Sequence, residues 1–255
     1  MPDDAGGEVI ETERHGDVAL IRLRRPEARN AVNFELAGAI CAAVDDAQDA
    51  AAIVLTGTDP AFCAGLDLRN LGTDDMAALP PFVGVGAASA VPVIAAVNGA
   101  AVTGGLELAL GCDFIVASER ARFADTHLRV RVYPGPVLVD LPRRVGMAWA
   151  RQMSLTGDFI DVETALRIGL ANEVVRHEDL IPRALALAAA IAEQDRDMVA
   201  LMRRDWDATA NLEIHAARAA HLDTARGAPL GGTTADTLTE HADAVFTRSR
   251  EQRAR

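Results

Sequence analysis

A segment that passes from apolar to glycine-rich sequence, residues 93–127, constrains the fold of this chain more than any other. It begins with the apolar run Val93–Val97, which predicts a buried strand, and it can turn at Asn98-Gly99. Small residues follow up to Gly104-Gly105, and Leu106–Leu110 then has the composition of a helix. The segment therefore predicts a strand that enters a glycine-rich turn and then a helix start.

A helix start of this kind leaves backbone N–H groups without partners, and such groups suit an anion or a developing oxyanion. Glu107 falls in the first turn of the predicted helix, among apolar neighbours. A carboxylate there either complements the helix dipole or takes part in chemistry, and the residues alone leave both interpretations open. Pro92, Asn98 and Glu107 interrupt the apolar run before it reaches the length of a membrane span.

Composition and charge exclude several classes of protein. The chain has 255 residues, half of them hydrophobic, and its 25 Lys+Arg against 37 Asp+Glu give a net charge of −12. This acidic balance argues against nucleic acid and membrane surfaces as partners. An anionic ligand would need local basic side chains or backbone N–H groups.

The cysteines and the first residues indicate where the protein works. Cys41, Cys63 and Cys112 are scattered without metal-ligand spacing, which is typical of a reducing compartment. The first ten residues are acidic and lack the apolar region of a signal peptide. No Walker or dinucleotide-binding glycine pattern is present, which argues against ATP or NAD as a ligand. We therefore expect a cytoplasmic protein without a metal or a separate cofactor.

Alternating strand and helix patterns predict an α/β fold. Asn33 is the expected N-cap of the first helix, and Pro134-Gly135-Pro136 excludes regular structure across it. Residues 70–90 show no clear period and are interpreted as a mobile segment with partial helix. The predicted strands are Val9–Glu13, Val18–Leu23, Ala52–Thr56, Val93–Val97, Asp113–Ala117, Ala121–Phe123 and Glu173–Val175; the predicted helices cover 35–48, 142–155, 162–170, 180–193, 196–211, 213–226 and 238–252.

Several short segments of the chain are informative through their order and spacing, although no single segment is specific. They are Arg25-Pro26 with Asn30-Ala31, Ala61–Leu68, Val97-Asn98-Gly99, Gly104–Ala109, Cys112-Asp113, Phe123-Ala124-Asp125, Leu141–Gly146 and Ser154–Gly157. Taken together, these segments resemble the crotonase (enoyl-CoA hydratase/isomerase) superfamily over nearly the whole chain.

The resemblance implies a spiral of ββα units over residues 1–195, which binds an acyl-CoA thioester. It further implies a helical region over residues 196–255 for pocket cover and oligomerisation, and a homotrimer or a dimer of trimers. Coenzyme A would be part of the substrate. By motif position the backbone N–H groups of Leu66 and Gly104 form the oxyanion hole, and the implied substrate-binding residues are Ala64, Asp67, Arg69 and Asp125.

In hydratases of this family, two glutamates flank a water molecule and the substrate double bond. The first matches Glu107, whereas the second position falls on His127, which is a departure from the pattern. A histidine exchanges protons near neutral pH, so His127 either replaces the glutamate, positions water or substrate, or hydrogen-bonds in the pocket wall. Asp125 is the competing acid, and we favour a structural role for it.

The resemblance implies hydration of a 2-enoyl-CoA to a 3-hydroxyacyl-CoA. The alternatives are an enoyl-CoA isomerase, a thioester hydrolase and a non-catalytic acyl-CoA-binding protein. A second departure lies at Pro136–Asp140, where bulky residues replace the usual glycine-rich helix start and predict a narrowed or reshaped acyl pocket. Cys63 lies beside the oxyanion segment, and we interpret it as a small buried residue rather than a nucleophile.

Overall fold

The computed structural model describes residues 8–69, 78–228, 242, 246–247 and 249–250, and its strands form two sheets. The strands of the larger sheet are β1 (Ile10–His15), β2 (Val18–Leu23), β3 (Ala52–Gly57), β5 (Val93–Val97), β7 (Phe114–Ser118) and β10 (Glu173–Val175). They lie in the order β1-β2-β3-β5-β7-β10, with β1 antiparallel to β2 and the remaining pairs parallel. Strands β3 and β5 are buried at every residue, which explains why they are apolar without alternation.

A smaller sheet grows alongside the first. Its order is β4 (Ala61–Cys63), β6 (Ala100–Val102), β8 (Arg122–Ala124) and β9 (Ile160–Asp161). Each of β3, β5 and β7 in the larger sheet is followed along the chain by a strand of the smaller one. The chain therefore winds as a spiral of repeated units, and the predicted α/β spiral is confirmed.

Nine helices have both ends within the described ranges. They are α1 (Phe34–Asp46), α2 (Val85–Ala88), α3 (Gly104–Leu110), α4 (Val137–Val145), α5 (Met147–Thr156), α6 (Val162–Arg167), α7 (Leu180–Ala192), α8 (Arg196–Thr209) and α9 (Ile214–Gly227). Asn33 caps α1 as predicted, since its side chain accepts the N–H of Leu36 at 2.9 Å.

The larger sheet has a hydrophobic core on each face. Because side chains alternate along a strand, Ala19 and Ile21 of β2 pack with α1 and α3, while Leu20 packs with α7 on the other face. Helix α7 presents Ala184 and Ala188 to the sheet, and these small side chains allow a close approach. The sheet is thereby held rigid on both faces, and the segments that follow its strands are fixed in place.

Two sequence predictions are wrong in detail. Residues 142–155 do not form one helix: α4 begins at Val137 and contains Pro142, and Gly146 at φ +80° separates it from α5. Similarly, β5 does not lead directly into α3, because the short strand β6 lies between them. Both errors come from pairing and packing partners that are distant in the sequence.

Other predictions lie partly outside the described residues. Of the predicted mobile segment, residues 70–77 are outside, while Phe82–Gly84 forms a 3-10 turn that leads into α2. Most of the predicted helix 238–252 is also outside.

The chain divides after Arg196 into two units. Residues 1–196 contain both sheets, and residues 197–255 contain α9 and nearly all of α8. The roles assigned above to the two regions remain predictions. None of the helices in the described ranges is long and apolar enough to cross a bilayer.

Candidate active site

Two backbone N–H groups converge where the smaller sheet meets α3. A Cβ atom added to Gly104, the first residue of α3, would lie 3.8 Å from the backbone nitrogen of Leu66. In the described part of the chain, neither of these N–H groups donates a hydrogen bond to the protein. Two nearby donors of this kind suit an oxygen that gains negative charge during a reaction.

Close backbone contact between two segments brings these donors together. Gly65 has φ +90°, and a Cβ there would lie 2.0 Å from Oγ1 of Thr103. A Cβ on Gly105 would lie 2.1 Å from the carbonyl oxygen of Cys63. No side chain fits at either position, so the glycines are required for the Leu66 segment to reach α3.

Thr103, directly before Gly104, adopts an unusual backbone conformation with φ 47° and ψ −114°. This is costly for a β-branched residue, about 1–3 kcal/mol. Two hydrogen bonds accompany the conformation: the Thr103 N–H donates to Ala124 O at 3.0 Å, and its hydroxyl donates to Val102 O at 2.8 Å. Sequence analysis missed this residue, because its strained backbone angles are visible only in the folded chain.

Glu107 lies in the first turn of α3 as predicted and is 7% exposed. Its Oε1 accepts the backbone N–H of Val137 at 3.1 Å, at the start of α4. Burial raises the pKa of Glu107, and this effect is opposed by the N–H of Val137 and by the charge of His127. A carboxylate with a raised pKa is suited to exchanging protons.

His127 begins a 3-10 turn, His127–Val130, just beyond β8, and it is paired with Asp125. Nδ1 of His127 donates to Oδ1 of Asp125 at 2.6 Å, and the backbone N–H of His127 reaches the same oxygen at 3.4 Å. The two residues are 8% and 1% exposed. Asp125 is thus held against the histidine ring and almost completely shielded from solvent.

The charges of this pair and of Glu107 act on one another. Burial lowers the pKa of His127, but the hydrogen bond to Asp125 and the charges of Glu107 and Asp125 outweigh it and raise the pKa overall. Burial raises the pKa of Asp125, yet His127 and the nearby Ser154 hydroxyl lower it overall. The structure therefore brings Glu107, Asp125 and His127 into one electrostatic cluster.

The predicted coenzyme A contacts lie on the segment around Leu66. Asp67 is buried and accepts hydrogen bonds from the Arg69 backbone N–H, Nε and one terminal nitrogen at 3.2, 3.0 and 2.8 Å. The Arg69 side chain is 74% exposed, and Ala64 is half-buried. Sequence analysis missed the role of Arg25, which lies 3.4 Å from Asp67 and also bonds to Ala31 O.

Two further predictions concern Cys63 and the residues after Pro136. Cys63 is fully buried, and burial raises the pKa of its thiol to about 12, which favours packing over nucleophilic attack. Of the bulky residues after Pro136, Val137 is buried while Leu138 and Val139 are exposed. The narrowed acyl pocket remains a prediction.

A cavity of about 350 Å³ is lined by none of these residues. Its polar side chains are already engaged: His177 is hydrogen-bonded to Ser118 Oγ at 3.0 Å and to Asp59 Oδ2 at 3.0 Å, and Asn98 donates to Asp59 at 2.9 Å. We place the candidate site at Glu107 and His127 instead, because unpaired backbone donors and interacting titratable groups meet there.

Comparisons with known proteins identify the family of this chain. The family model for enoyl-CoA hydratase/isomerase matches residues 13–227. A probable enoyl-CoA hydratase of Rhizobium meliloti is 41% identical over 194 residues, which cover 72% of this chain and 76% of the relative. A crotonyl-CoA hydratase of Syntrophomonas wolfei is 33% identical over 229 residues, which cover 82% of this chain and 88% of the relative.

Solved structures of enoyl-CoA hydratases are also similar to this chain. An enoyl-CoA hydratase from Mycobacterium avium is 42% identical, with a TM-score of 0.72 over 86% of this chain and 99% of that one. An enoyl-CoA hydratase from Bacillus anthracis is 26% identical, with a TM-score of 0.84 over 94% of this chain and 97% of that one. The family model, the relatives and the shared fold confirm the resemblance drawn from the sequence: this chain belongs to the enoyl-CoA hydratase/isomerase family.

Proposed function

We propose that this protein adds water to the double bond of a 2-enoyl-CoA and forms the 3-hydroxyacyl-CoA. The observation that carries the proposal is the meeting of two unpaired backbone donors with a buried carboxylate and a buried imidazole that interact electrostatically. Relatives named enoyl-CoA hydratase and crotonyl-CoA hydratase support the same reaction.

The thioester oxygen is the atom that gains charge when water attacks. In this proposal it accepts hydrogen bonds from the backbone N–H groups of Leu66 and Gly104, which stabilise the enolate. Each donor of this type contributes roughly 3–4 kcal/mol at the transition state. Gly65 packs against the strained Thr103 and Gly105 packs against Cys63, and these close contacts hold the donors in place before the substrate arrives.

Proton transfer divides between Glu107 and His127. Ionised Glu107 takes a proton from water, whose oxygen bonds to the β-carbon. Protonated His127 then donates its proton to the α-carbon as the enolate collapses. Glu107 finally returns a proton to His127, so one water molecule is added and both groups regain their starting states. The acid-base assignment follows the environments described above, in which the charge of each group favours the ionised form of the other.

The proposal also includes the binding of coenzyme A, the oligomeric state and the cellular location. Ala64, Asp67 and Arg69 contact coenzyme A, which enters as part of the substrate, and no separate cofactor takes part. The protein works in the cytoplasm as a homotrimer or a dimer of trimers. Its three cysteines are free thiols, which agrees with a reducing compartment, and its acidic charge agrees with the absence of nucleic acid and membrane partners.

Hydration of crotonyl-CoA, followed by the loss of enoyl absorbance, tests the proposal. We expect wild-type protein to be active, Glu107→Gln to lose about a hundredfold or more in kcat, and His127→Glu to retain turnover because it supplies another acid. Glu163→Gln, on the exposed start of α6, is the matched control and should equal wild type.

Three other outcomes identify the alternatives. Conversion of a 3-enoyl-CoA to the conjugated product without hydration indicates an isomerase, and release of free CoA indicates a hydrolase. Tight acyl-CoA binding without turnover of any enoyl substrate indicates a binding protein. Each of these results contradicts the proposed hydration.

A further inference from the structure

We propose that Asp125 is a positioning residue that holds Nδ1 of His127 and thereby leaves Nε2 as the atom that serves the substrate. This inference rests on the proposed function, since it assigns the reacting atom of a proposed acid. It specifies the structural role favoured for Asp125 from the sequence, and it differs from the substrate contact that the family resemblance implies.

The geometry of the pair fixes the ring. One oxygen, Oδ1 of Asp125, accepts both Nδ1 at 2.6 Å and the backbone N–H of His127 at 3.4 Å. The first contact sets the direction of the ring, and the second ties it to the backbone at the start of the 3-10 turn. Because Nδ1 is engaged, Nε2 is the ring nitrogen that remains for chemistry.

Burial separates Asp125 from the substrate. The residue is 1% exposed, and its second oxygen, Oδ2, is buried without a hydrogen-bond partner in the described part of the chain. The Ser154 hydroxyl is near enough to lower the pKa of Asp125, but it does not reach hydrogen-bond geometry with Oδ2. A carboxylate this poorly solvated requires a positive partner to stay ionised, and the His127 imidazolium is that partner.

The surrounding charges favour the same state. The charged groups that act on His127 are Asp125, two residues earlier, and Glu107 on α3, and both raise its pKa. Asp125 therefore has two effects on His127: it selects the nitrogen that is free, and it keeps the ring protonated to higher pH. An asparagine at position 125 has nearly the same shape but lacks the charge that produces the second effect.

The test compares Asp125→Asn with wild type in crotonyl-CoA hydration across pH. We expect kcat to fall at least tenfold while KM stays within threefold, and the alkaline limb of the kcat profile to move by at least one unit to lower pH. The matched control is Asp158→Asn, since Asp158 is an exposed carboxylate that binds Arg129 of the same 3-10 turn at 2.6 Å. It should leave kcat and the pH limb unchanged.

Two results would overturn the inference. A raised KM with unchanged kcat would mean that Asp125 binds substrate, and an unmoved alkaline limb would mean that it only stabilises the fold. Unfolding of Asp125→Asn in urea, measured alongside, separates a loss of stability from a change at His127.

Nitrogen NMR of wild-type protein gives a readout that needs neither activity nor a variant at position 125. With the His127 signals assigned by comparison with His127→Gln, we expect Nδ1 to remain protonated as pH rises and Nε2 to lose its proton. Loss of the proton from Nδ1 instead would contradict the inference. If wild type fails to hydrate any enoyl-CoA while NMR shows this pattern, the proposed reaction is wrong and the pairing stands.

Discussion

The backbone N–H of Val137 donates to Oε1 of Glu107 at 3.1 Å, so the first residue of α4 holds the carboxylate that α3 presents. Gly135, two residues before, faces the same carboxylate. The position of Glu107 therefore depends on the Pro-Gly-Pro segment as much as on its own helix. At the end of this segment, with Pro136–Asp140, the chain departs from the glycine-rich helix start usual in the family.

Gly135→Ala should impair catalysis more than folding. The new Cβ would lie 2.9 Å from Glu107 Oε1, and the carboxylate at the end of a flexible side chain would shift to relieve the contact. We expect kcat for crotonyl-CoA hydration to fall at least tenfold, because small displacements of a catalytic group are costly. Gly38→Ala in α1, with no atom within 4 Å, is the control and should keep full activity while gaining about 0.5–1 kcal/mol of stability. Equal activity of the two variants would show that Gly135 does not position Glu107.

Gly65→Ala should destabilise the fold strongly. The added Cβ would meet Thr103 Oγ1 at 2.0 Å and Val102 O at 2.9 Å, and the residue has φ +90°. We expect a loss of about 3 kcal/mol or more in the free energy of unfolding in urea, from strain and overpacking together. Gly16→Ala shares a positive φ of 60° but has no atom within 4 Å, so it should lose only about 1–2 kcal/mol. Similar losses would argue against the close approach at Gly65.

Strain at Thr103 should appear as a difference in stability between two variants of this residue. Thr103→Val keeps the β-branch at φ 47° and loses the hydroxyl, whereas Thr103→Gly loses the hydroxyl but also relieves the strain. We expect the glycine variant to be about 1 kcal/mol more stable than the valine variant, after its greater backbone entropy is allowed for. Thermal unfolding measures the difference, and a more stable valine variant would refute the assigned strain.

Asp67 should make stability depend on pH in acid. Hydrogen bonds from Arg69, followed by Arg25, outweigh burial and lower the pKa of Asp67 from 3.8 to about 2. The stabilisation is present above the unfolded pKa and is lost as pH falls from about 4 to about 2. Between these pH values, the free energy of unfolding of wild type should fall by about 1 kcal/mol more than that of Asp67→Asn. The difference is modest because solvent screens the charge of the exposed Arg69 side chain. Urea unfolding at several pH values measures this, and parallel curves would exclude the effect.

Local signals in the sequence were sufficient for much of the fold. The strand Val93–Val97 and the Asn33 cap were predicted as observed, because an apolar run and a capping side chain act within a few residues. The break at Gly146 was missed, since Pro142 resembles a helix start and only the packing of Val137 and Leu141 shows that the helix begins earlier. The sequence cannot reveal features set by distant contacts.

The candidate site shows the same division between features set by local sequence and features set by distant contacts. Asp125 and His127 are two residues apart, so their proximity was visible, yet which oxygen meets which nitrogen depends on the turn that follows β8. The contact of Arg25 with Asp67 and the strain at Thr103 join segments far apart along the chain. The family motifs include Arg25 and Asp67 but not Thr103, and only three-dimensional packing shows what each of these residues contacts.

The winding of the chain distributes the proposed chemistry among successive layers, where a layer is one strand of the smaller sheet and the segment that follows it. Leu66 follows β4, Gly104 and Glu107 follow β6, and Asp125 with His127 follows β8. Different layers therefore carry most of the three tasks, each just beyond a strand of the smaller sheet. The tasks are stabilisation of the thioester oxygen, attack at the β-carbon and protonation of the α-carbon. A change in the last layer, such as histidine in place of glutamate, alters the proton donor while the donors to the oxygen keep their scaffold. A fold built in this way can acquire new reactions one layer at a time.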